Sequence, residues 1–403
     1  MSHEDLLERY KPHPKYDSQE AFFADSAEEM TDNPGNELRR ANGEVIAAAG
    51  AGLSLDTLGA KYSVDGSAAK ATDVLGVMGK DYRTQYSKLR EARADLRNFV
   101  YGHAQTDPDG KLWLQYWFWY FYNDYQLAGG FGLHEGDWEM IEIRLDAKEQ
   151  PELALYAQHA YAESHSWDEV EKTADGKPVT YPGRGSHASY FAPGAYETEG
   201  WFDIVDGKRE APELKLVTPE GTAWIEWPGA WGDTRPSSGL LAGLEEPSPS
   251  GPAQHPYWQH PEQLFPKAIE RKVKKPAQPP ELDVARKGGE LWVKFDGGGQ
   301  PAGGGTPIKL IATLNSRDEA GVPPKTFTFD IADQGESGQF DTGLKLDQHK
   351  HYEVDLSVIV LQGKTEVPSA SRCCPLDPGV ESKIPDWVKH PIWDIEQFVA
   401  GKR

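Results

Sequence analysis

The clearest alternation of apolar and polar side chains lies in GLHEGDWEMIEIRL, residues 132–145. One face of this segment carries large aliphatic side chains, at Ile141, Ile143 and Leu145. This period of two predicts a strand with a buried face. Asp137 and Glu139 fall on that same face, where carboxylates are unexpected. The opposite face, with Glu142 and Arg144, is expected to meet solvent.

Neighbouring segments extend the β pattern. KLWLQYWFWYFYND (111–124) is apolar on both faces, which predicts a strand buried on both sides. Shorter strand-like runs follow between turns rich in Gly and Pro: 153–161, 178–181, 187–191, 201–206, 214–217 and 223–227. Their length and spacing predict an all-β sandwich. Upstream, Tyr82, Tyr86 and Leu89 recur at steps of four and three, which predicts an amphipathic helix over 80–98.

The composition of the chain shifts along its length and predicts a mostly β protein with two sandwiches. Residues 1–271 are predicted to form a β-sandwich N-terminal domain with accessory helices, including a helical and loop arm over 1–100. A Pro/Lys linker at 272–281 leads to 282–377, where four strand-like runs predict an immunoglobulin-like or fibronectin type III-like β-sandwich. The tail, 378–403, is predicted to dock as a short helix.

Charge and composition narrow the classes of function. The formal net charge is −22, and RKVKK at 271–275 is the only basic cluster, so no nucleic-acid partner is expected. No apolar run is long enough for a transmembrane segment. Without an apolar signal segment, cytoplasmic residence is the default expectation, with signal-independent export left open. The two adjacent cysteines form neither a disulfide framework nor a zinc motif.

The misplaced carboxylates are the best candidates for chemistry. A carboxylate on a buried face is costly unless it is paired or bound to a metal. Asp137 and Glu139 could share one cation with His134, which stands three residues before Asp137, and Asp124 is a candidate fourth ligand. Such oxygen-rich ligands suit Mg²⁺ or Ca²⁺ best, with Mn²⁺ or Zn²⁺ as alternatives. Pairing of Glu139 with an arginine and capping of a turn by Asp137 remain open.

Two further histidines are candidate catalytic residues. His159 and His187 are both expected near strand centres, His159 on an apolar face. Either could serve as a general base, although a hydrogen-bonded core histidine is the ordinary alternative. Familiar catalytic motifs such as a Walker loop, GxSxG or HExxH are absent from the sequence.

Four sequence blocks occur in an order that resembles a known family: WLQYWFWYFYND, HEGDWE, QHAYAESHSWDEV and YPGRGSHASYFAPG. Together with smaller matches over about residues 10–265, they resemble the vacuolar protein sorting-associated protein sixty-two-like family. That resemblance implies a fold and a site more than an activity.

HEGDWE is also distantly similar to the heptapeptide of necrosis- and ethylene-inducing peptide-like proteins, which are toxins with a β-sandwich fold. The resemblance implies that His134, Asp137 and Glu139 surround a divalent cation that helps to bind a sugar headgroup, with Asp124 as the upstream aspartate. Glu135 and Gly136 stand where that family has basic residues. The missing secretion signal and paired cysteines argue against a cytolytic role.

Three functional hypotheses follow from these observations. The first is a divalent-metal-dependent binding protein for a sugar or phosphate-bearing ligand, such as a glycan or lipid headgroup, with another protein contacting the C-terminal domain. The second is a metal-dependent hydrolase acting on phosphodiester, ester or glycosidic bonds. The third is a structural or passenger protein of a larger assembly. Whether the chain is an enzyme is left undecided.

Overall fold

The computed structural model describes residues 1–59, 61–62, 66–77, 82–125, 132–159, 161–197, 202–233, 249–269, 281–296, 306–318, 322–332, 337–362 and 364–376. Residues 272–280 of the predicted linker and the predicted tail helix at 378–403 lie outside the described residues.

The α-helices are α1 His3–Arg9, α2 Glu28–Asp32 and α3 Tyr82–Ala92. Short 3-10 helices lie at Leu55–Thr57, Ala94–Leu96, Trp167–Glu169, Ala223–Glu226, Pro252–Gln254, Pro256–Trp258, Pro261–Gln263 and Phe265–Lys267. The N-terminal strands are β1 His13–Tyr16, β2 Glu37–Arg39, β3 Val45–Ala48, β4 Val74–Leu75, β5 Phe99–Thr106, β6 Leu112–Asp124, β7 Leu133–Leu145, β8 Pro151–Gln158, β9 Tyr161–Ser166, β10 Val179–Pro182, β11 Ser189–Tyr190, β12 Gly194–Glu197, β13 Phe202–Val205, β14 Arg209–Glu210, β15 Lys215–Val217 and β16 Ala268–Ile269. The C-terminal strands are β17 Glu281–Lys287, β18 Glu290–Asp296, β19 Thr306–Ser316, β20 Lys325–Asp330, β21 Ser337–Lys345, β22 Tyr352–Gln362 and β23 Thr365–Leu376.

A seven-stranded sheet, in the order β15-β5-β6-β7-β8-β9-β16, forms the centre of the N-terminal region. Its longest strands, β6 and β7, pair antiparallel with Tyr120 opposite Asp137 and Phe118 opposite Glu139. Strand β6 is apolar on both faces, and all but its two end residues are buried, so other elements cover both faces of this sheet. The prediction of a strand buried on both sides is therefore confirmed.

The two faces of the central sheet carry different cores. One face, called here the tyrosine face, has Tyr116, Phe118 and Tyr120 of β6 packed with the aliphatic side chains of β7 and with α1. The other, called the tryptophan face, has Trp113, Trp117 and Trp119 packed with α3 and with further tryptophans from the 224–231 segment. Helix α3 buries Tyr82, Tyr86 and Leu89, as the sequence periodicity predicts.

Further sheets complete a mostly β protein. On the tyrosine-face side, β11-β10-β1-β14 form a four-stranded sheet in which β1 is parallel to β10 and antiparallel to β14. In the C-terminal region, β17-β18-β21 and β20-β19-β22-β23 enclose a separate apolar core, which Tyr125 joins. The sandwich and fibronectin type III-like arrangements themselves stay predictions, as do the domain boundaries.

Several local predictions are wrong. The 223–227 run forms a 3-10 helix because its tryptophans pack as a cluster on the tryptophan face rather than alternate along a sheet. Glu142 is fully buried, since the segment that contains Tyr257 covers its side of the sheet. His159 follows the last residue of β8, and His187 precedes β11, so neither lies near a strand centre.

Candidate functional site

A break in strand alternation near the start of β7 shapes the candidate site. Gly136 has φ +64°, and a Cβ atom there would lie 2.0 Å from the backbone oxygen of Trp231 on the tryptophan face. Glu135 also points to this side, where its carboxylate accepts a hydrogen bond from the Asp233 N–H. Glu135 and Gly136 thus both face the tryptophan side, whereas consecutive residues of a regular strand face opposite sides. His134 is thereby turned to the tyrosine face, the side of Asp137.

His134 is buried, and both of its ring nitrogens have partners. Nδ1 lies 2.7 Å from the carbonyl oxygen of Gly136, so Nδ1 carries the proton and donates it. Nε2 lies 2.9 Å from Nδ2 of Asn123, directly across the β6–β7 ladder, and accepts its N–H. The neutral tautomer with its lone pair on Nε2 follows from these contacts.

Asp137 is held by a buried histidine. His187 Nδ1 donates to Asp137 Oδ2 at 2.8 Å, and its ring stacks on Tyr120 with centroids 3.8 Å apart. On the other side, Nε2 lies 3.7 Å from Glu20 Oε1, an ion-pair distance beyond hydrogen-bond range. Glu20 itself accepts the backbone N–H groups of Ala21, Phe22 and Gly185. The imidazole therefore lies between two carboxylates.

His187 and Glu20 shift each other's pKa values. Burial alone would lower the pKa of His187, but the charge of Glu20 and the hydrogen bond to Asp137 raise it to about 9. Burial would likewise raise the pKa of Glu20, yet the His187 cation and the backbone donors lower it. Glu20, His187 and Asp137 thus form a buried, charged triad.

The other two predicted ligands lie near this triad but do not join it. Glu139 is half-buried on the tyrosine face, two residues beyond Asp137. Burial raises the pKa of Tyr120, and the negative charge of Glu139 raises it further. The Asp124 carboxylate accepts a hydrogen bond from Arg83 Nη2 of α3 at 2.6 Å. Since α3 covers the tryptophan face, Asp124 points away from His134 and Asp137.

A second polar cluster surrounds His159. Its Nε2 donates to Oδ2 of the buried Asp203 at 2.8 Å, while the imidazole side chain is 35% exposed. Tyr190 donates its hydroxyl proton to the same carboxylate oxygen. Burial would raise the pKa of Asp203, but the charge of His159 and the hydrogen bonds from His159 and Tyr190 lower it. Asp203 therefore acts as an acceptor that fixes the His159 ring.

The structure groups the predicted residues unevenly. His134, Asp137 and Glu139 share a face, whereas Asp124 and His159 lie elsewhere. Within the described ranges, no three His, Cys, Asp or Glu side chains converge closely enough to coordinate one metal ion. Sequence reasoning missed three partners: Glu20, Asn123 and Asp203. The predicted β6–β7 pairing could have indicated Asn123, but Glu20 and Asp203 come from distant segments without a local signal.

No protein-family model matches the chain, and no curated protein matches it. The resemblance to the vacuolar protein sorting-associated protein sixty-two-like family therefore stays a prediction. No described helix has the length and apolar character needed to cross a bilayer.

Solved structures show a distant similarity of NLP toxin type. NLPPya in complex with glucosamine is 12% identical, with 67% of this chain and 92% of that chain covered and a TM-score of 0.32. A protein described as a toxin fold for microbial attack and plant defense is 12% identical, with coverages of 66% and 90% and a TM-score of 0.29. A family 76 glycoside hydrolase from a bovine Bacteroides thetaiotaomicron strain is 16% identical with a TM-score of 0.18; the overlap covers 25% of this chain and 21% of that chain, about a fifth of the hydrolase. Overlaps of this extent assign no function to this chain.

Proposed function

We propose that this chain is a divalent-cation-dependent binding protein, with the cation held by His134, Asp137 and Glu139 and the ligand a sugar or phosphate-bearing molecule. The observation that carries the proposal is the tautomer of His134. Its Nδ1–H donates to the Gly136 carbonyl, which leaves the lone pair on Nε2. A histidine that ligates a metal is typically fixed by this kind of bond from its other nitrogen.

The donor atom types suit a hard cation, and the three side chains would have to move closer together to share it. Asp137 and Glu139 supply carboxylate oxygens from the face to which Gly136 turns His134, and such oxygens suit Mg²⁺ or Ca²⁺, with Mn²⁺ or Zn²⁺ as alternatives. Binding would require Asn123 to release His134 Nε2 and Asp137 to exchange one hydrogen bond with His187. A bound cation would supply a coordination position for a ligand oxygen.

The test is a direct measurement of cation binding. Protein purified without chelator is analysed by mass spectrometry for metals and titrated calorimetrically with Mg²⁺, Ca²⁺, Mn²⁺ and Zn²⁺. His134→Ala and Asp137→Asn should abolish binding, while His165→Ala, a partly exposed histidine of β9 paired with Glu163, should not. If the wild-type protein binds none of these ions, the proposal fails and the structural or passenger role is favoured.

Asp124 requires its own variant. It is 10% exposed and pairs with the half-exposed Arg83, so Asp124 could join the cation only if this pair breaks and the side chain turns to the other face. Loss of affinity in Asp124→Asn would assign it as the fourth ligand, and retained affinity would leave it as the partner of Arg83. Once a cation is found, amino sugars, neutral hexoses and hexose phosphates are titrated with and without EDTA. Contact of the C-terminal region with another protein, and residence in the cytoplasm, stay predictions.

One observation favours a second candidate, a metal-dependent hydrolase. The His159 side chain is partly exposed, and its Nε2 is hydrogen-bonded to the buried Asp203 carboxylate. A carboxylate orients the imidazole of a general base by this kind of bond. Ester, phosphodiester and glycoside substrates are tested with and without EDTA. Metal-dependent turnover that is lost in His159→Gln would support the hydrolase. A cation-loaded protein without turnover would support the binding protein. The buried His187 is the weaker candidate for a base, since substrate has no access to a fully buried ring.

A further inference from the structure

A cleft of about 450 Å³ opens at the Val179 end of β10, the end opposite to the Gly183–His187 segment. Its walls come from β1, from the turn at 172–177 and from residues 210–214. The β1 wall is fixed by backbone pairing to β10 and β14. This volume is in the range of sites for small molecules.

The cleft gathers lysines in an otherwise acidic protein. It is lined by four lysines, Lys11, Lys15, Lys172 and Lys177, and by three acidic residues, Asp175, Glu210 and Glu213. The chain as a whole carries 64 acidic against 42 basic residues, so such a concentration of ammonium groups is a local exception.

Glu213 occupies the position between two of these ammonium groups. Its Oε1 lies 2.7 Å from Lys177 Nζ and 3.5 Å from Lys11 Nζ. The Lys11 side chain is only 4% exposed and its ammonium also pairs with Glu8 at 2.6 Å, so it is held in place, whereas Glu213 is 67% exposed. An exposed carboxylate held by surface ion pairs is readily exchanged for another anion. Glu213 thus marks where an external oxyanion would bind.

Of the other two lysines, only Lys172 adds charge that no described carboxylate balances. Lys172 donates to the carbonyl oxygens of Trp167 and Val170 at 2.6 and 2.8 Å, and it makes no ion pair with any carboxylate that the structure describes. Lys15 pairs with Glu171 at 3.0 Å. The positive charge of Lys172 is therefore left without a carboxylate to neutralise it.

We propose that this cleft binds a small molecule through a phosphate monoester, which takes the place of the Glu213 carboxylate between Lys11 and Lys177. A phosphate presents several acceptor oxygens, so one group can contact both ammonium ions. The site is independent of the proposed cation site, because it shares no residue with that site.

Calorimetric titration with inorganic phosphate and glucose 6-phosphate, in EDTA and low salt, tests the proposal. Wild-type protein should bind both, and Lys177→Met should weaken binding about tenfold by removing one charge-assisted hydrogen bond. Glu213→Gln should tighten binding, because it removes the competing carboxylate. Lys208→Met, at a half-exposed lysine paired with Asp206 outside the cleft, is the matched control and should change nothing.

Three results would overturn the proposal: no binding of either compound by the wild type at millimolar concentration, equal weakening in Lys208→Met, or weaker binding in Glu213→Gln. Circular dichroism of Lys177→Met excludes unfolding as the cause of a loss, and Glu213→Gln decides the matter if that variant does not fold. Asp137→Asn should retain phosphate binding, which separates this result from the outcome of the cation experiment.

Discussion

His187 and His159 share one local design in two different environments. Both are non-glycine residues with positive φ, at 56° and 51°, and each bonds an aspartate oxygen at 2.8 Å. Yet the side chain of His187 is 0% exposed and that of His159 is 35% exposed. Histidine tolerates this backbone region better than most residues, and such positions are enriched at functional sites. Backbone strain alone therefore does not separate a structural histidine from a chemical one.

Burial makes the difference between the two histidines. Around His187, two carboxylates depend on one cation in a medium that solvates charge poorly. Around His159, water solvates part of the ring, and Asp203 mainly fixes its orientation. We therefore expect His187 to govern stability and His159 to remain available for chemistry.

The largest expected effect is that of His187→Ala. Removing the cation leaves Glu20 and Asp137 buried without their partner, so the free energy of unfolding should fall by about 3–5 kcal/mol. Urea denaturation measures this change. His159→Ala should lower the free energy of unfolding less, by about 1–3 kcal/mol, because the buried Asp203 keeps the Tyr190 hydroxyl as a donor. Equal losses in the two variants would show that burial is not what separates them.

Gly136→Ala tests the backbone that places Asp137 beside His187. The added Cβ would meet the Trp231 carbonyl oxygen at 2.0 Å and the Trp119 ring at 2.4 Å, on a residue with φ +64°. Strain and overpacking together should lower the free energy of unfolding by about 2–4 kcal/mol. Gly110→Ala is the control, because Gly110 has φ +79° but no atom within 4 Å of the added Cβ. If both variants lose the same stability, the close contact contributes nothing.

Glu142 shows what a buried carboxyl does without an imidazolium beside it. It accepts one hydrogen bond, from Gln115 at 2.8 Å, and its other oxygen has no hydrogen-bond partner among the described residues. Burial raises its pKa well above 4.5, whereas the cation of His187 lowers that of Glu20. The pKa of a buried glutamate is thus raised at Glu142 and lowered at Glu20.

This contrast predicts a pH dependence for Glu142→Gln. The folded wild type holds the proton of Glu142 more tightly than the unfolded chain does, so this contribution is fully present below pH 4.5 and is lost as pH rises towards the folded pKa. Relative to the wild type, Glu142→Gln should gain up to about 1.4 kcal/mol of unfolding free energy per pH unit across that window. Denaturation curves from pH 4 upward measure the difference. A difference that does not change with pH would mean that Glu142 is ionised in the folded protein.

The sequence predicted the elements better than the partners. Period-two and period-four patterns were sufficient for β6, β7 and α3, because each buries a face that its own residues define. They also placed Asp137 and Glu139 on one face, whereas His134 reaches that face only because the break at Gly136 interrupts the period of two. Glu142 was misplaced because burial of its face depends on a segment more than a hundred residues away.

The same limit explains the two histidines. Asp203 approaches His159 from 44 residues along the chain, and Glu20 lies still further from His187, so no spacing rule connects them. The sequence could therefore indicate the two histidines, but only the folded structure shows which carboxylate each one contacts and how exposed each one is.

The smallest expected effect concerns reactivity rather than stability. Diethyl pyrocarbonate acylates imidazoles that it can reach, so in the native protein His159 should be modified while His187 is not. Mass spectrometry of proteolytic peptides over time gives the two rates, and modification in urea shows that His187 reacts once the chain is unfolded. Labelling of both at one rate in native protein would mean that the Glu20–His187–Asp137 triad opens easily. Protection of His187 alone would leave His159 as the histidine of this pair that a substrate or ligand can contact.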